Sequence, residues 1–72
     1  MQITLESYIN PHSRLVGRKT ETINVRDIET VIVERSSWVD EDLVRVKFKN
    51  SPSCYFSRKD FVETLKNLYH GY

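Results

Sequence analysis

Alanine is missing from this chain altogether. It is the best helix former, so a sequence that omits it while carrying eight valines, five isoleucines and five threonines in 72 residues is made for strands. Cysteine occurs once, at Cys54, which excludes an internal disulfide framework. Its aromatic surroundings predict a buried thiol in a reducing, cytoplasmic setting. Gly17 and Gly71 are the only glycines, too few for a loop that cradles a phosphate. No apolar run approaches the ~18 residues of a membrane span. The start Met1-Gln2-Ile3-Thr4-Leu5-Glu6 lacks the basic flank and unbroken apolar stretch of a secretory signal, so no membrane association is expected. Charge of one sign is lacking too. Eleven Lys and Arg face ten Asp and Glu, and a net +1 leaves no whole-molecule field to gather nucleic acid or anionic lipid.

What is present suits one small β-rich domain over residues 1–72, a length that excludes two domains, a dinucleotide-binding unit or a barrel enzyme. Residues 2–9 alternate, with Ile3, Leu5 and Ser7 on one side and Gln2, Thr4 and Glu6 on the other, the pattern of a half-buried strand. Asn10-Pro11 breaks it, and Ser13, Gly17 and the cations of residues 10–19 read as a long hairpin loop. Strand composition resumes at 20–25, a tight turn follows at 24–27, and 28–34 carries apolar residues on both faces, as a central strand covered on each side would. After the connection 36–42, residues 43–49 alternate strictly, with Val44, Val46 and Phe48 inward and Arg45, Lys47 and Lys49 outward. Ser51-Pro52-Ser53-Cys54 predicts a β-turn closing a hairpin onto 54–56.

A helix is expected from about 57 to 70. Ser57 and Asp60 form a shortened capping box, Phe56 and Phe61 occupy the staple positions, and Phe61, Leu65 and Leu68 make an apolar stripe with Val62 and Tyr69 beside it. His70 suits the helix dipole in the last turn, and Gly71 is placed to end the helix. The predicted fold is α+β: a small curved antiparallel sheet of about five strands, β-β-β-β-β-α, with one C-terminal helix packed across a face.

Catalytic chemistry has few candidates. Cys54 with His12 or His70 can be drawn as a thiol–histidine pair, but nothing in the spacing selects it. One Cys and two distant His lack any paired-ligand spacing for zinc. The expectation is a non-enzymatic protein without metal or cofactor. Two surfaces remain. Trp38 beside Val39, followed by Asp40, Glu41 and Asp42, reads as an interface anchor with an acidic rim, or as a tryptophan folded back over the core. Arg45, Lys47 and Lys49 on one strand face, Arg58 and Lys59 at the helix start, and Arg14, Arg18 and Lys19 in the first loop read as a phosphate-binding strip, or as solvated charge guarding a sheet. Tyr55 lies near enough in sequence to stack on a base.

The run Ile23-Asn24, then Ile28-Glu29, Val31 and Glu34, followed by Val44, Val46, Phe48, Asn50, Tyr55, Phe56 and a terminal amphipathic helix, resembles the small FlbD-type proteins of bacterial flagellar operons and similar short phage proteins. It departs from them in a longer first hairpin, in Ser51-Pro52 where an Asn-Gly turn is usual, and in one extra residue before Tyr55. The same segment also resembles the core of LytTR DNA-binding domains, which implies loops contacting DNA. The leading expectation is a small protein-binding module, an adaptor, regulator or inhibitor encoded by a phage or mobile element, with residues 38–42 as contact loop. A nucleic-acid-binding regulator using the cations is the alternative. A homo-oligomeric component, such as a homodimer, is the third.

Overall fold

The computed structural model describes residues 1–69. Five strands, β1 (Gln2–Ile9), β2 (Gly17–Asn24), β3 (Ile28–Glu34), β4 (Leu43–Phe48) and β5 (Cys54–Ser57), precede one helix, α1 (Arg58–Tyr69). All strand pairs are antiparallel, in the spatial order β2-β1-β5-β4-β3. The expected α+β architecture is therefore present.

The sheet must curl, and the chain shows why. Its two edge strands, β2 and β3, are consecutive in sequence and joined only by the 3-10 turn Val25–Asp27. Laid flat, five strands would hold those edges about 19 Å apart. Three residues of 3-10 helix, at ~2 Å each, reach far less. The sheet therefore curls without closing, and the Asn24 side chain stabilises the connection by accepting from the Arg26 amide at 3.1 Å.

Register and alternation divide the side chains between two faces. The concave face holds Ile3, Leu5, Ile23, Val44, Val46 and Phe56, which pack with Phe61 from α1 into the core. Phe56 and Phe61, the two staple positions, stack at 5.9 Å and 12°. Ser57 caps the helix by accepting from the Asp60 amide at 3.3 Å, and the Arg58 amide donates to Asp42 O at 3.0 Å. The helix bounds predicted from these caps hold at the N-terminal end, while His70 and Gly71 lie outside the described residues.

Three expectations need correction. Among the described residues β3 is an edge strand paired only with β4, not a central one. Its Val31, Ile32 and Val33 are 45%, 39% and 53% exposed. An apolar run on both faces has the same appearance whether neighbours cover it or nothing does. The first loop is also shorter than 10–19: Gly17, Arg18 and Lys19 belong to β2, opposite Ile9, Tyr8 and Ser7. Pairing with β1 extends the strand through residues whose own composition is that of a loop. The reversal begins at Asn10, whose φ of 52° is left-handed, and closes where the Ser13 amide donates to Asn10 O at 3.0 Å. Finally, residues 49–53 join β4 to β5 irregularly, bending at 49–51, with no backbone hydrogen bond closing Ser51-Pro52-Ser53-Cys54.

Candidate functional site

The convex face is where the two long loops meet. Along it, Arg18, Tyr8, Tyr55 and Arg45 stand in one cross-strand row. Loop 10–16 folds onto this row: His12 Nε2 donates to Glu34 Oε1 at 2.9 Å and its ring meets Tyr55 edge-on at 5.7 Å. Loop 35–42 closes against it, with the Ser36 hydroxyl donating to Pro11 O. Pro11 and Leu43 are buried, Leu43 completely, on the side of the sheet away from the main core.

The five residues expected to form the contact loop divide into two groups. Trp38 sits on a turn set by Ser36, whose Oγ accepts from the Trp38 amide at 3.1 Å and whose carbonyl accepts from Val39 at 3.3 Å. That turn leaves the indole 55% exposed rather than folded over the core. Val39 is half-buried and Asp40 exposed. Glu41 and Asp42 point elsewhere. Glu41 accepts hydrogen bonds from the Tyr8 hydroxyl and from Ser57 Oγ, the latter at 2.7 Å. Asp42 lies 3.2 Å from Arg35 and 3.6 Å from Arg58. These two acids anchor the loop to β1, β5 and α1 and so hold Trp38 in place.

The electrostatics follow from this geometry. Hydrogen bonds from Tyr8 and then Ser57 hold the Glu41 carboxyl below its ordinary range, against a smaller opposing effect of burial. Burial, followed by the bond to Glu41, pushes the Tyr8 phenol up, although the Arg18 guanidinium lies 4.5 Å over its ring and pulls the other way.

The expected basic strip is broken up. Arg18 and Lys19 project to opposite faces of β2, and Arg18 lies within 4.0 Å of Glu6 and Asp60. Lys19 pairs with Glu21 at 2.8 Å. Arg45 Nε, buried, is 3.2 Å from Glu34 Oε2 in an ion pair too bent for a hydrogen bond. Arg58 meets Asp42. Arg14, Lys47, Lys49 and Lys59 are exposed without an ion pair among the described residues, but they lie on loop 10–16, β4, the β4–β5 connection and α1 respectively. Tyr55 does stand opposite Arg45, with His12 against its ring.

The thiol–histidine pair with His12 is not formed. Cys54 lies on the concave face opposite Val46, while His12 contacts the convex side through Tyr55. Cys54 is half-buried beside an open groove of about 680 Å³ that Lys19, Glu21 and Phe48 also line. Burial first, and the Glu21 carboxylate second, push its thiol up, with Lys19 opposing. Alkylation by iodoacetamide at neutral pH is expected to run about tenfold slower than in the urea-unfolded chain. Equal rates would show an open thiol.

Reading the sequence alone missed the exposed apolar edge of β3 and the role of His12 in closing the loops. Three consecutive β-branched residues, Val31, Ile32 and Val33, were the available signal for the edge. Among the described residues, no group of three or more His, Cys, Asp or Glu is placed to hold a metal ion, and no helix is long and apolar enough to cross a membrane. Compared with known proteins, the chain matches no family model, no curated protein and no solved structure.

Proposed function

We propose that this chain is a non-enzymatic protein-binding module, an adaptor, regulator or inhibitor, that grips its partner with Trp38 at the tip of the β3–β4 hairpin. The observation that carries the reading is an exposed tryptophan on a loop anchored at several points. Exposure of so large an aromatic supplies an anchor, and the contacts of Ser36, Glu41 and Asp42 order the loop beforehand, which lowers the entropy lost on binding. Val39 extends the apolar contact. Asp40, the one acid of the rim left exposed without an ion pair among the described residues, favours a partner with basic residues around an apolar pocket.

The test is Trp38→Ala. Because the indole is largely in solvent, the circular dichroism spectrum and urea midpoint are expected to stay within about 0.5 kcal/mol of the parent. Affinity for the partner is expected to fall about thirtyfold, the ~2 kcal/mol of a central aromatic anchor. Affinity capture from the source cell, with nuclease added, should retain a protein on the parent chain that the variant loses. A variant that unfolds, or one that captures the same proteins equally, overturns the assignment. Capture that vanishes with nuclease in both cases would move function to the cations.

A further inference from the structure

The two edges of this sheet are protected very differently. β2, at one edge, reads Gly17-Arg18-Lys19-Thr20-Glu21-Thr22 through most of its length, with charges that discourage pairing with another strand. β3, at the other, presents Thr30-Val31-Ile32-Val33 without lysine or proline, and its β-bulge lies before this stretch, between Ile28 and Thr30. From Thr30 to Glu34 the strand pairs regularly with β4, so its outer row of backbone donors and acceptors is regular as well.

We propose that this outer edge pairs antiparallel with β3 of a second copy, in the register that sets Ile32 opposite itself, joining two five-stranded sheets into one. Charge complementarity chooses both the occupant and the register. A two-fold centred on Val31 sets Glu29 against Val33, and one centred on Val33 sets Ile32 against Glu34 and Val31 against Arg35. Centring on Ile32 sets Val31 against Val33 and Thr30 against Glu34, each twice, and at both ends brings Glu29, the bulge residue just before the regular stretch, towards Arg35 just after it. In that register no apolar side chain faces a charge, and opposite charges meet twice. Arg35 is well placed for this role: its side chain is 75% exposed and holds Asp42 through Nη1, which leaves other guanidinium donors for Glu29. One surface complementary to itself under a two-fold is what an isologous dimer requires. The inference rests on β3 and is independent of the role given to Trp38.

Cross-linking reads the register directly. In a Cys54→Ser background, Ile32→Cys places two thiols on directly opposed residues, about 4.5–5.5 Å apart at Cα, within disulfide range. Thr30→Cys lies four residues out of register with its own copy, ~13 Å away and beyond that range. Mild oxidation is expected to give a covalent dimer with Ile32→Cys and none with Thr30→Cys. Sedimentation of the unmodified chain at roughly 100 μM should show a dimer. Val33→Lys should raise its dissociation constant at least about tenfold with an unchanged circular dichroism spectrum. Glu29→Arg should weaken the dimer, and adding Arg35→Glu should restore it. A monomer at that concentration, or cross-linking as efficient at position 30 as at 32, overturns the proposal.

Discussion

Replacing Phe56 with alanine is expected to cost about 3–5 kcal/mol. Phe56 is fully buried on β5, opposite Ser7 of β1 and Val44 of β4, and it stacks on Phe61 of α1. One ring therefore fills the space where the two halves of the sheet meet the helix. A chain of 72 residues has roughly 4–11 kcal/mol of stability at ~0.05–0.15 kcal/mol per residue, so this substitution removes from roughly a quarter of it to all of it. Urea denaturation followed by far-ultraviolet circular dichroism measures the loss. Phe61→Ala should fall in the same range, and the double variant should lose less than the sum because both substitutions open the same contact. A loss below about 1 kcal/mol for Phe56→Ala would contradict the packing described above.

The second large effect belongs to Glu41. Replacing it with alanine removes one charge-assisted acceptor shared by Tyr8 and Ser57, and about 2 kcal/mol of stability should go with it. The pH dependence has a definite sign. The folded Glu41 carboxyl titrates below its ordinary 4.5, so its contribution is present above that value and is lost as pH falls through the lower folded one. The Tyr8 phenol titrates above its ordinary 10.0, so its contribution is present below that value and is lost as pH rises through the higher folded one. Stability from the Tyr8–Glu41–Ser57 contact therefore persists from mild acid to mild alkali and declines on both sides. Glu41→Gln should flatten the acid side of a stability–pH profile, and Tyr8→Phe the alkaline side. An acid limb unchanged in Glu41→Gln would remove Glu41 from this role.

Glu41 also marks where sequence reading stopped. In sequence it is the middle of three acids beside a tryptophan, indistinguishable from Asp40 and Asp42 as a rim charge. Its partners, Tyr8 and Ser57, are 33 and 16 positions away, and no local pattern announces contacts of that span. The same holds for His12, which meets Glu34 across 22 positions. Trp38 was recognisable as a residue of interest from its type and setting. Its exposure was decided by the Ser36 turn and by anchors that the folded chain supplies.

The sequence by itself determined the features that depend on neighbours along the chain. These are the alternation of Val44, Val46 and Phe48, the Ser57 cap, the Phe56–Phe61 staple and the β-β-β-β-β-α order. Each rests on periods of two or 3.6 residues, or on spacings of three to five, which any reader of the chain can count. The tertiary structure alone decided that β3 lies at an edge, that β2 begins at Gly17, and that His12 and Cys54 are on opposite sides of the sheet. Strand order depends on which edges meet after the sheet coils, and side-chain pattern encodes which face a residue takes but not which strand lies beside it. For that reason, the apolar run from Val31 to Val33 looked like the centre of the sheet and is its unguarded edge.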